Sequence, residues 1–85
     1  MFYVEVTDTY GEEANYAWVK HFMVKAKTFT GAIRKVSKEM GYSFSCEGDF
    51  GDSRRYKAKD ACVCAFVAEA DELCVEQMKG NAKEL

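Results

Sequence analysis

The spacing of hydrophobic and polar positions changes several times along this chain, and each change marks an element. Phe2, Val4 and Val6 alternate with Tyr3, Glu5 and Thr7, a period of two that predicts a half-buried strand. Residues 8–15 are polar and include Gly11, which predicts a loop. Residues 16–28 read as a second strand, with Phe22, Val24 and Ala26 facing one way and Met23, Lys25 and Lys27 the other. Trp18 and Lys20 share parity with Phe22, so a bulge is expected where this strand starts. The short link between the two strands predicts an antiparallel hairpin.

The period then lengthens. Ala32, Ile33, Val36 and Met40 form one apolar stripe at helical spacing, with Arg34, Lys35 and Lys38 pointing away. Thr28 or Thr30 can cap this helix, and Gly41 is a natural stop. Alternation resumes in residues 42–46, where Tyr42, Phe44 and Cys46 share one face of a third strand. Residues 47–53 hold two glycines and three acids and predict a turn or loop. Residues 54–60 alternate weakly, and residues 61–68 are apolar on both parities, as in a strand covered on both faces. A helix capped by Asp60 also fits Val63, Phe66, Val67, Ala70, Leu73, Cys74 and Met78. The density of Val, Cys and Phe favours a strand to Glu69, followed by a short helix over residues 71–79 ended by Gly80.

The predicted order is therefore β-β-α-β-β-α. It describes an α+β fold: a small antiparallel sheet of about four strands with one main helix, residues 30–40, packed on one face. At 85 residues the chain makes one compact domain, 1–85, with 80–85 as a loose tail. Hydrophobic residues at 48% and no proline exclude a disordered or low-complexity segment.

Charge adds a second pattern. The net value of −2 conceals blocks of −4 over residues 1–19, +6 over 20–59 and −4 over 60–85. A basic middle can meet phosphate, and acidic ends can meet basic protein surfaces. No apolar run reaches the roughly 20 residues a membrane helix needs, and Glu5 and Asp8 interrupt any signal-peptide pattern. A cytoplasmic location, with Cys46, Cys62, Cys64 and Cys74 reduced, is the expectation.

Candidate chemistry is sparse. His21 is the single histidine, and no nucleophile elbow accompanies it, so no enzyme is expected. Cys62 and Cys64 lie two positions apart on a predicted strand, which spreads their sulfurs by about 7 Å. Zinc sites draw their pairs from tighter turns, so core packing is the reading for the thiols and no metal or cofactor is expected. The acidic turn with Glu47, Asp49 and Asp52 lacks the spacing of a calcium loop. The basic segment is the most informative feature. Lys25, Lys27, Arg34, Lys35 and Lys38 form one group, and Arg54, Arg55, Lys57 and Lys59 a second, with Tyr56, Tyr42 and Trp18 as rings able to stack on bases.

The stretch Val24-Lys25-Ala26-Lys27-Thr28-Phe29-Thr30-Gly31-Ala32-Ile33-Arg34-Lys35-Val36, a strand running into a capped basic helix, resembles small phage-encoded proteins. Within that group it resembles anti-CRISPR and other anti-defence proteins, over about residues 1–70 in element order. The resemblance implies a non-enzymatic inhibitor, encoded by a phage or mobile element, that binds a host protein or nucleoprotein complex and blocks it sterically and electrostatically. Glu12, Glu13, Asp49 and Asp52 would then engage a basic groove, or Lys25, Arg34, Lys35 and Lys38 an acidic partner or guide RNA. The alternative is a small RNA- or DNA-binding module using Lys25, Lys27, Arg54, Arg55, Tyr56 and Lys57. A homodimer paired through the apolar strand also stays open.

Overall fold

The computed structural model describes residues 1–85. Six strands and two helices follow one another as β1 (Phe2–Tyr10), β2 (Glu13–Val24), α1 (Phe29–Met40), β3 (Phe44–Asp49), β4 (Ser53–Ala58), β5 (Val63–Glu69), α2 (Glu72–Met78) and β6 (Lys83–Glu84). The strands form one sheet in the order β3-β4-β5-β1-β2-β6. All neighbours are antiparallel except β2 and β6, so the sheet is mixed.

The α+β class holds, while the strand count and several boundaries differ from the expectation of four antiparallel strands. Residues 54–58 form a strand of their own, because their weak alternation is real: Tyr56 and Ala58 are buried, and Arg55 and Lys57 are not. The loop expected at 8–15 shrinks to a turn at Gly11 and Glu12, both with positive φ, which is the requirement of a type I′ hairpin. The loop expected at 47–53 shrinks likewise, since β3 runs on to Asp49 through a bulge between Cys46 and Gly48. Cys46, expected to face inward, is exposed. The loose tail instead supplies β6, and Leu85 packs against the core.

The main helix follows from its sequence. The Thr28 hydroxyl accepts the Gly31 N–H at 3.0 Å, and Gly41 closes the helix at φ 77° with its N–H on the Ser37 carbonyl. The stripe Ala32, Ile33 and Val36 is buried against one face of the sheet. That helix face carries Phe2, Val4 and Val6 from β1, Phe22 and Val24 from β2, Val63, Ala65 and Val67 from β5, and Tyr56 and Ala58 from β4. Full burial of each valine contributes about 1.5–3 kcal/mol.

The second face carries Tyr3, Glu5 and Thr7, then His21 and Met23, then Cys64 and Phe66, then Arg55 and Lys57. Thr7, Met23 and Cys64 are buried there, so this face is also covered. Two segments cover it. The β2–α1–β3 and β5–α2–β6 connections both join parallel strands but run in opposite directions along the sheet. The right-handed rule for such crossovers puts their helices on opposite faces. The influence of Cys74 on the Tyr3 phenol agrees with α2 lying on the second face.

The other cover is the β1–β2 hairpin. Between the Thr7–Val19 and Thr9–Ala14 pairs, four residues of β2 stand opposite Asp8 alone. This is the bulge that the parity of Trp18 predicts, placed at residues 15–18, with Tyr16 at φ 57°. Thr7 and Asp8 hold it. Thr7 Oγ1 accepts the Tyr16 N–H at 3.0 Å and donates to the Trp18 carbonyl at 2.9 Å. Asp8 accepts from the Ala17 N–H and the Asn15 amide, each at 2.8 Å. Beyond the bulge the hairpin turns back over the second face, where Arg55 Nη2 donates to the Glu12 carbonyl at 2.9 Å.

Replacing Thr7 by Val keeps the shape and removes the hydroxyl. Two backbone groups of the bulge lose their partner, and unfolding by urea shows a loss of about 1–3 kcal/mol. Thr7→Ser retains most of that stability; an unchanged midpoint in Thr7→Val would show that the hydroxyl does not hold the bulge.

Candidate binding site

The folded-back hairpin creates the most distinctive surface of the molecule. Gly11, Glu12 and Glu13 form one wall of an open cleft of about 490 Å³, and Glu47, Gly48 and Phe50 form the other. Arg55 lies between them. Its Nε is 3.2 Å from Glu47 Oε1, its Nη2 holds the Glu12 carbonyl, and its guanidinium sits 5.6 Å from the Phe66 ring centre. The Arg55 Nε contact is an ion pair without hydrogen-bond alignment. Lys57 reaches Glu12 Oε1 at 3.8 Å. These two cations fix the acidic wall from below, and Glu13 remains exposed with no cation paired to it.

Two aromatic rings flank this acidic region of the chain. Tyr10, last residue of β1, is 81% exposed, and Phe50 is 68% exposed. Phe50 owes its position to Gly48: a Cβ at Gly48 would stand 2.9 Å from the ring. Neither ring belongs to the expected set. Phe50 carries a signal in the sequence, an apolar ring inside an acidic, glycine-flanked turn with no core to face. Glu47 carries none, because its role depends on the bulge in β3.

Strand alternation divides the second basic group. Arg54 points to the helix side, where it pairs with Asp49 at 3.3 Å and lies 4.8 Å from the Phe29 ring centre. Arg55 and Lys57 point to the hairpin side. Tyr56, between them in sequence, is buried on the helix side and offers no ring to a base. Its hydroxyl lies beside Arg54 and strengthens that charge, although Tyr56 Oη and Arg54 Nε both lack an aligned hydrogen bond. The first group stays outside the sheet. Lys25 and Lys27 lie in the β2–α1 connection rather than on a strand, and Arg34, Lys35 and Lys38 are exposed on α1. Asp49 and Asp52 are exposed at the β3–β4 turn, Asp49 accepting the Gly51 N–H at 3.0 Å.

The second face also gathers titratable side chains. His21 is half-buried and hydrogen-bonded through Nδ1 to the Tyr3 hydroxyl, with the two rings stacked 5.7 Å apart. Burial pushes the Tyr3 phenol above its ordinary value, with Glu5 and Cys74 adding to the effect. The Tyr16 phenol is raised by burial and by the nearby Glu5 carboxylate. Burial raises the Cys64 thiol, and Arg55 opposes that rise. Cys64 is buried, whereas Cys46 and Cys62 are exposed. No group of three or more His, Cys, Asp or Glu side chains is arranged to hold a metal ion. No helix is long and apolar enough to cross a membrane.

The Asn15 amide, assisted by the Ala17 N–H, holds the Asp8 carboxyl below its ordinary value. A lowered folded-state pKa contributes stability above the unfolded value and loses it as pH falls through the folded one. The bulge therefore stays closed at neutral pH and loosens in acid, below the ordinary carboxylate range. The Ala17 amide resonance reports this as a shift on acid titration, and the shift disappears in Asp8→Asn. Gly48→Ala displaces the Phe50 ring, which is free to swing, and leaves the thermal midpoint within a few degrees of the parent; a large loss would mean the backbone, not the ring, must yield. Compared with known proteins, the chain matches no family model, no curated protein and no solved structure, so its own surface geometry carries the functional reading.

Proposed function

We propose that this is a non-enzymatic binding protein that docks on a basic surface of its partner through the acidic cleft between the β1–β2 hairpin and the β3–β4 turn. The observation that carries this reading is the unpaired, exposed Glu13 on one wall of the cleft and the exposed Phe50 on the other, with Glu12 and Glu47 in ion pairs with Lys57 and Arg55 around the same opening. Interfaces draw their energy from a few aromatic anchors, and complementary charge sets encounter rate and register. The backbone of Glu12 is held by Arg55 before any partner arrives, which lowers the cost of ordering the hairpin tip on binding.

A basic groove that handles nucleic acid is the partner whose chemistry such a surface fits. Together with the resemblance to small phage-encoded anti-defence proteins, this supports an inhibitor that occupies the groove of a host nucleoprotein complex and blocks it sterically and electrostatically. The alternative of a nucleic-acid module built on the whole basic segment loses Arg54, Arg55 and Lys57 to ion pairs and Tyr56 to the core.

The test is affinity capture of the tagged protein from bacterial lysate, with and without nuclease. A stoichiometric protein partner that survives nuclease is expected. Glu13→Lys and Phe50→Ala each weaken that complex by about tenfold or more, the scale of one interface anchor. Capture of nucleic acid alone, or a complex indifferent to both substitutions, would overturn the reading.

A further inference from the structure

We propose that the outer face of α1 is a second, independent docking surface, and that it takes the phosphodiester backbone of a nucleic acid. It lies on the opposite side of the sheet from the acidic cleft and does not rest on the function proposed above.

Three observations carry it. First, the cations there are unpaired. The four ion pairs of the molecule engage Arg54, Arg55, Lys57 and Lys83, and none engages Arg34, Lys35 or Lys38. Glu39, the one carboxylate on the helix, is occupied by Lys83. Second, the row is partly fixed. Arg34 and Lys38 stand one turn apart on the same side of the helix, about 6 Å along its axis. Lys35 Nζ donates to the Lys25 carbonyl at 2.6 Å, which ties the helix cations to the connection before it. Lys25 and Lys27 extend the row, each with carboxylates nearby: Lys27 shares a depression with Glu69 and Asp71, and Lys25 one with Glu84. The core of the surface is thus Arg34, Lys35 and Lys38, with two flanking lysines.

Third, the face has no anchor for a protein. The exposed large hydrophobic residues are Met1, Tyr10, Tyr16, Trp18, Val19, Phe50 and Leu73, and none lies on α1. A protein interface centred on such a face would lack its apolar core. A phosphate backbone needs none, because its affinity comes from counterion release at each neutralised phosphate. A group of cations without exposed aromatic residues also carries no means of reading bases, so the binding is independent of sequence.

Fluorescence anisotropy of the full chain with a short labelled single-stranded RNA tests this, with a DNA duplex and poly-glutamate as competitors. Three to five neutralised phosphates give a slope of log K against log salt of about −2 to −3.5 for the single strand. Affinity then falls about 20- to 130-fold between about 50 and 200 mM salt. Arg34→Glu with Lys38→Glu weakens binding by about tenfold or more and flattens the slope by at least about 1.4. The single Lys38→Gln flattens it by about 0.7 and serves if the reversal disturbs folding, which circular dichroism checks. Lys79→Glu, a cation reversal at the end of α2, does not weaken binding. The DNA duplex competes and poly-glutamate does so poorly. Three results would each overturn the proposal: no RNA binding at low salt, an unchanged slope in both α1 variants, or poly-glutamate competing as well as nucleic acid.

Discussion

The rest of the structure depends on how Thr7 and Asp8 hold the bulge in β2. Four residues of one strand stand against a single residue of the other, an arrangement that leaves several backbone groups without a ladder partner. Thr7, completely buried, satisfies the Tyr16 N–H and the Trp18 carbonyl with one hydroxyl, and Asp8 satisfies the Ala17 N–H. Without such partners, these backbone groups would turn to water, at about 0.5–1.5 kcal/mol for each hydrogen bond lost. With them, the hairpin can leave the plane of the sheet and lie back across it. Three later features depend on that fold-back: the burial of Cys64, the contact of Glu12 with Arg55, and the cleft itself.

The same geometry separates charge. The helix side presents Arg34, Lys35 and Lys38 to solvent, and the hairpin side presents Glu12, Glu13 and Glu47. The two groups lie on opposite faces of one sheet, so a net charge of −2 says little about either surface. At physiological salt, screening acts over about 8 Å. A partner at one face therefore feels mainly the charges of that face. The ion pairs follow the same logic. Arg55 and Lys57 are drawn to the acidic hairpin, and Arg54, their neighbour in sequence, is turned to Asp49 and the Phe29 ring.

Much of the fold was legible residue by residue. The stripe of Ala32, Ile33 and Val36, with Thr28 and Gly41 at its ends, determines a helix whatever it packs on, because caps and period are local. The alternation of Phe2, Val4 and Val6 does the same for β1, and the broken parity at Trp18 marks the bulge. The errors arose where local signals compete with long-range pairing. Residues 8–15 and 47–53 are polar and contain glycine, as loops do, yet strand pairing extends through most of both because a neighbouring strand is present to bond them. Residues 83–84 have no strand signal of their own and pair only because the edge of β2 is open to them. The candidate site was legible in part. Glu12 and Glu13 stood out as charges and Phe50 as a ring with no core to face, and Glu47 gained meaning only when two turns distant in sequence met across a cleft.

The sequence by itself determined an α+β chain, a capped basic helix, a hairpin and two apolar strands, because these depend on period, propensity and capping within a few residues. Tertiary structure decided which charges are free and which are spent. Arg54, Arg55, Tyr56 and Lys57 are consecutive and look like one patch, but a strand sends successive side chains to opposite faces and then presents each to different neighbours. Arg55 and Lys57 become contacts under the hairpin, Arg54 a partner of Asp49, and Tyr56 a core residue. The helix cations keep their freedom for a complementary reason: the apolar stripe fixes the rotation of α1, and the face opposite that stripe has nothing packed on it to neutralise them.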